Sequence, residues 1–175
     1  PHDTPVVLAG FSLGGYVAIE MLATPQRPLH AAALVSTSAR PESAEAAAAR
    51  EKTIAALRKN VERVVDGIVQ FGTHEPSPER AAALKAMMLR VGADTAIRQN
   101  RAVMGRGDHR AALARLALPV AVLCGAQDRI TPPALSRELA DLVPGAQLTL
   151  VEGCGHMLPC ENAAAVAQAI RALLP

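Results

Sequence analysis

Aromatic side chains are nearly absent: 2% of the chain, with no Trp, one Tyr and two Phe, so the interior must be built from Ala, Val, Leu and Ile. Basic clusters are absent as well. Eighteen Lys and Arg stand against 16 Asp and Glu, a net charge of +2, and no run of one sign occurs. That balance argues against a nucleic-acid or anionic-membrane surface as partner. Cysteine is sparse and odd in number (Cys124, Cys154 and Cys160), which excludes a disulfide framework and fits a reducing compartment. A cytoplasmic location is the resulting expectation. No apolar run approaches the roughly 18–20 residues that cross a bilayer. The opening Pro1-His2-Asp3-Thr4-Pro5 has neither the charged nor the apolar region of a signal peptide. Cys154, His156 and Cys160 lie close in sequence. A structural zinc needs four ligands, and no second Cys or His pair follows at the usual spacing. No metal and no cofactor are expected.

What is present is a chain of 175 residues, 50% of them hydrophobic, enough for one domain with a sizeable core. It divides into three parts. Residues 1–39 read as strand, tight turn, helix and strand: the apolar run Val6-Val7-Leu8-Ala9 suits a parallel strand covered on both faces, a helix follows from Leu13 to Ala23, and Ala31 to Val35 form the next strand. Residues 40–118 contain helices only. Val61, Val64, Val65, Ile68 and Val69 make one apolar stripe, and Ser77-Pro78-Glu79 is a helix start. Residues 119–175 return to strand–helix alternation: a strand over 119–125, a helix opened by Thr131-Pro132, a strand over 147–151, and a final helix from Asn162 to Leu174. The fold class expected is α/β, a parallel sheet with a helical lid inserted between two strands.

Three short stretches carry chemistry, each directly after an apolar strand. Gly10-Phe11-Ser12-Leu13-Gly14 is a G-x-S-x-G motif between a strand and a helix, where a nucleophile elbow must sit. The tight turn calls for small residues two before and two after Ser12, and Gly10 and Gly14 supply them. The bland alternative is a serine that only caps the helix. A hydroxyl needs a base to become a nucleophile at neutral pH. His156, in Gly153-Cys154-Gly155-His156, follows the last strand. His2 and His30 lie in connecting segments, and His74 and His109 fall within the helical insertion. The base needs an acid to hold its tautomer. Asp128 ends a strand, Glu152 is a weaker rival, and Thr131 takes the cap position of the next helix, leaving Asp128 free. The strand ending in Ser36-Thr37-Ser38 offers no acid.

With these motifs in the order Ser12, Asp128, His156, the chain from Val6 to Leu174 resembles the α/β-hydrolase superfamily, in particular bacterial members with a helical lid. The resemblance implies a serine hydrolase that cleaves a small ester, lactone or thioester through an acyl-enzyme. The backbone N–H of Leu13 would be one oxyanion donor, and Phe11, Leu13, Ile130 and Met157 would lie near a pocket for a small-molecule substrate. A C–C bond hydrolase or lyase with the same triad, and a non-catalytic ligand-binding relative or inactive fragment, remain open. Ser12 argues against the dehalogenase and epoxide hydrolase branches, which use Asp. Members of the superfamily carry four strands before the nucleophile strand, and the loop after the third supplies the second oxyanion donor. The expectation is therefore a C-terminal fragment of a longer hydrolase, with one donor upstream and the first strand as an open edge.

Overall fold

A computed structural model describes residues 4–175, so His2 lies outside the described residues. Four parallel strands form one sheet in the order β1 (Val7–Phe11), β2 (Ala31–Val35), β3 (Val120–Gly125) and β4 (Gln147–Val151). Val7 aligns with Ala31, Ala32 with Val120, and Ala121 with Gln147. Alternation along the strands divides their side chains between two faces. Ala32, Leu34, Val120 and Val122 pack on one face against Ala18, Ile19 and Leu22 of α1 (Leu13–Ala23) and Leu139 of α7 (Pro133–Leu142). On the other face Val35, Ala121 and Leu123 meet Leu158 of α8 (Leu158–Glu161) and Val166 and Ala169 of α9 (Ala163–Arg171). Both central strands are buried throughout.

β1 is an edge strand, paired on one side by β2. Its residues are mostly half-buried and Ala9 is exposed, so the expected cover on both faces is not found here. Val17 and Met21 of α1 are exposed.

Between β2 and β3 run five helices: α2 (Ala44–Lys59), α3 (Val61–Gly72), α4 (Pro78–Val91), α5 (Ala93–Met104) and α6 (Arg110–Leu113). Caps set their starts. The side chains of Ser43, Asn60 and Ser77 accept from the amides of Ala46, Arg63 and Arg80. The apolar stripe of α3 divides between two clusters. Val65 and Val69 join Leu84 and Met157, whereas Val61 and Val64 pack against Ile54, Leu57 and Ile97. Glu42 ties this segment down by accepting from Arg50 at 2.6 Å and from Arg106, and the Arg106 guanidinium lies 4.4 Å from the Tyr16 ring centroid.

The final helix starts where expected, with the Asn162 side chain accepting from the Ala165 amide to open α9, and the short α8 precedes it. One local expectation changes. Thr131 does not cap α7: Pro132 holds that position without a side-chain cap bond, and the Thr131 hydroxyl turns elsewhere.

Candidate active site

Ser12 stands between β1 and α1 with φ 50° and ψ −115°, in the left-handed half of backbone space that a non-glycine residue occupies only under strain. Neighbouring contacts hold it there. Its amide donates to the Val35 carbonyl at 2.9 Å, and its carbonyl accepts the Thr37 hydroxyl at 3.1 Å. Close approach explains two glycines. A Cβ on Gly10 would meet the Gly14 carbonyl oxygen at 2.5 Å, and one on Gly15 would meet Thr37 at 2.5 Å. The requirement expected at Gly14 falls on Gly15 instead, since a Cβ at Gly14 would meet nothing within 4 Å. Helix α1 turns its flank, one residue on, toward the buried end of β2.

The Ser12 side chain makes no capping bond to α1. Its Oγ lies 2.8 Å from His156 Nε2. On the other side of the ring, Nδ1 lies 2.9 Å from Asp128 Oδ2 and 3.1 Å from Oδ1. The imidazole and the carboxylate are almost fully buried, and the Phe11 ring stands 5.4 Å from the imidazole, centroid to centroid. Asp128 follows β3 and accepts further donors: the Ile130 and Thr131 amides on Oδ1 at 2.9 and 2.8 Å, and the Thr131 hydroxyl on Oδ2 at 2.9 Å. Burial pushes the Asp128 carboxyl up, but the hydrogen bond and charge of His156 and the Thr131 donors outweigh it, holding the group below its ordinary value. Cys124 lies beneath, its Sγ 3.8 Å from Oδ2, and burial raises its thiol to about 11. Glu152 is exposed and accepts from the Gln127 side chain, away from His156.

His156 sits on a loop shaped by glycines. Gly153 has φ 69°, and a Cβ on Gly125 would meet the Gly155 carbonyl oxygen at 2.2 Å. The end of α3 supports this loop, because the Gly72 carbonyl accepts the amides of His156 at 2.7 Å and Met157 at 3.1 Å. Glu161 Oε1 accepts the amides of His74 at 2.6 Å and Gly155 at 3.0 Å. Arg129 donates to the carbonyls of Gln70 and Phe71 and lies over the Phe71 ring.

Of the other residues expected near the site, Ile130 and Met157 meet at Gly72, where a Cβ would lie 3.0 Å from Ile130 Cδ1, 3.4 Å from Met157 Cε and 3.8 Å from His156 Cβ. Phe11 and Met157 pack with Val65, Val69 and Leu84, while Ile130 is 39% exposed. Leu13 lines a cleft of about 300 Å³ between α1 and α5, with Tyr16, Val17, Val103 and Arg106. His30 precedes β2, His74 follows α3, and His109 pairs with Glu20. Among the described residues no group of three or more His, Cys, Asp or Glu is arranged to hold a metal ion, and no helix is long and apolar enough to cross a membrane. Glu161, Thr37 and the Thr131 hydroxyl were not singled out by sequence. A helix-terminal Glu and buried hydroxyls carry no motif, and only Thr37, within a polar run ending an apolar strand, left a signal.

Comparison with known proteins places this geometry. A pimeloyl-[acyl-carrier protein] methyl ester esterase of Neisseria meningitidis serogroup C is 28% identical over 162 residues, covering 88% of this chain and 63% of that protein. A thermophilic esterase from Thermogutta terrifontis superposes with a TM-score of 0.88 at 28% identity, over 96% of this chain and 64% of that one. An esterase from Exiguobacterium antarcticum, 15% identical with a TM-score of 0.85, shares the fold over 97% of this chain and 66% of its own. The chain thus spans less than two thirds of the length of the first two. The Alpha/beta hydrolase family profile matches residues 2–169, and the chain belongs to that family.

Proposed function

We propose that this domain carries the nucleophile, base and acid of a serine esterase. The observation that carries the reading is the continuous relay from Ser12 Oγ to His156 Nε2 at 2.8 Å and from His156 Nδ1 to Asp128 at 2.9 Å. In the mechanism, Ser12 attacks the ester carbonyl while His156 takes its proton, and Asp128 stabilises the imidazolium. The same proton then passes to the departing alkoxide. Water, deprotonated by His156, attacks the acyl-enzyme carbonyl; the C–Oγ bond then breaks, His156 returns its proton to Ser12 Oγ, and the acid leaves. Leu13 opens α1, so its N–H is one of the helix donors without an intrahelical partner, and the positive end of the helix faces the developing oxyanion.

The residues packed closest to the relay, Phe11 against the His156 ring and Met157 beside it, are apolar, which suits a small ester with an aliphatic part, whereas the cleft beside Leu13 is lined by neither Ser12 nor His156. The helices between β2 and β3 act as the lid. Relatives named as esterases, one of them a methyl ester esterase, support ester hydrolysis over C–C bond cleavage.

The test is hydrolysis of short p-nitrophenyl esters together with covalent labelling by a fluorophosphonate. Wild type is expected to turn over and to label at Ser12, with both lost in Ser12→Ala. Retained turnover and labelling in Ser12→Ala would overturn the reading.

A further inference from the structure

Thr131 is 5% exposed, and its hydroxyl stands between the two buried members of the relay, 2.9 Å from Asp128 Oδ2 and 3.2 Å from His156 Nδ1. We propose that Thr131 is a positioning residue for the relay, its hydroxyl orienting the Asp128 carboxylate and sharing the Nδ1 proton of His156. This rests on the catalytic reading of Ser12, His156 and Asp128.

Proton counting assigns the roles. When Nε2 faces the Ser12 hydroxyl as acceptor, the imidazole proton is on Nδ1, directed at Asp128. The Thr131 hydroxyl has a single proton, and an ionised carboxylate only accepts, so that proton goes to Oδ2. The hydroxyl lone pair then faces the Nδ1–H. The Thr131 amide donates to Oδ1 at 2.8 Å, so this one residue gives each carboxylate oxygen a donor and fixes the carboxylate plane.

The local sequence offered this hydroxyl another use. Thr131 stands just before α7, where a side-chain cap contributes roughly 1 kcal/mol. Yet α7 has no side-chain cap bond, and the hydroxyl is committed to the site.

The surrounding groups leave the hydroxyl as the adjustable donor. Cys124 approaches Oδ2 at 3.8 Å as a neutral thiol. Arg129 is turned to the carbonyls of Gln70 and Phe71, Glu161 is bound to the amides of His74 and Gly155, and Glu152 is bound to Gln127. A donor on Oδ2 draws off part of the charge that the imidazolium would otherwise feel. Removing it concentrates that charge on His156, which holds its proton to higher pH.

Thr131→Val preserves shape and the amide donor, and Thr131→Ser restores the hydroxyl. The measurements are the pH dependence of fluorophosphonate labelling at Ser12 and the NMR resonance of the His156 Nδ1–H in the purified protein. The Val variant is expected to label on the order of fivefold more slowly at neutral pH, the scale of one hydrogen bond. Its acid limb should move to higher pH and its Nδ1–H resonance downfield, and the Ser variant should return all three toward wild type. A Val variant matching wild type in the pH limb and the resonance, or a Ser variant that restores neither, overturns the proposal. Absence of labelling in wild type would overturn the catalytic reading itself, a failure distinct from an unmoved resonance.

Discussion

The carbonyl of Gly72 accepts the backbone amide of His156 at 2.7 Å, so the last turn of α3 holds the His156 loop in place. A segment that enters the chain as an insertion between two strands therefore takes part in building the site. Arg129 and Glu161 tie the same end of α3 to the acid loop and to α8. Motion of the inserted helices that detached α3 at Gly72 would also release His156.

Glu161 gives a direct test of this coupling. Its Oε1 accepts the amides of His74 and Gly155, which lie on opposite sides of the junction. Glu161→Ala is expected to cost about 1–3 kcal/mol by stranding these donors. Amide exchange should accelerate at both residues. Glu161→Gln keeps an acceptor oxygen and should lose less. Unchanged exchange at His74 and Gly155 in the Ala variant would refute the coupling.

The two glycines that follow Leu13 should respond in opposite ways. In Gly15→Ala the new Cβ would have to displace Thr37 from 2.5 Å, an overpacking cost of about 1–3 kcal/mol. Gly14→Ala meets open space inside a helix, where Ala is favoured over Gly by up to about 1 kcal/mol. Urea unfolding of both variants checks the contrast, and equal midpoints would contradict it.

Strain at Ser12 predicts a trade between stability and activity. Glycine adopts φ 50° without penalty, so Ser12→Gly should stabilise the fold by about 1–2 kcal/mol relative to Ser12→Ala while remaining unlabelled by fluorophosphonate. Thermal unfolding of the two variants side by side is the measurement. A less stable Gly variant would show that the backbone at this turn is unstrained.

Asp128 sets an acid limit on stability. Its folded-state carboxyl titrates below its ordinary value: burial opposes this, but the His156 hydrogen bond and charge and the Thr131 donors prevail. A carboxyl depressed by folding contributes stability that is fully present above its unfolded value of about 3.9 and is lost as pH falls through the lower folded value. The wild-type urea midpoint should therefore fall more steeply than that of Asp128→Asn as pH drops below about 4, the unfolded value. Parallel pH dependences would rule out a depressed Asp128.

Much of this architecture was legible in the residues because its causes are local. Apolar runs such as Ala31 to Val35 and Val120 to Cys124, bounded by polar or glycine residues, specify buried parallel strands. The stripe on α3 and the caps Asn60 and Ser77 specify helices within one or two turns of chain. Ser12, Asp128 and His156 could be chosen because parallel strands deliver their following residues to one edge of the sheet. Reading by position alone failed where a side chain had two possible partners. Thr131 looked like a cap and points to Asp128.

The sequence by itself determined the order of strands and helices, the strained turn at Ser12 and the three residues that reach the same end of the sheet. Tertiary structure decided what surrounds them: the Gly72 carbonyl on His156, the Glu161 carboxylate between two loops, Thr37 against Gly15, and the direction of the Thr131 hydroxyl. The physical reason is range. Periodicity and turn chemistry act over a few residues, whereas the Ser12–His156 contact joins positions 144 apart, and its supporting contacts are fixed only when the sheet and inserted helices have packed.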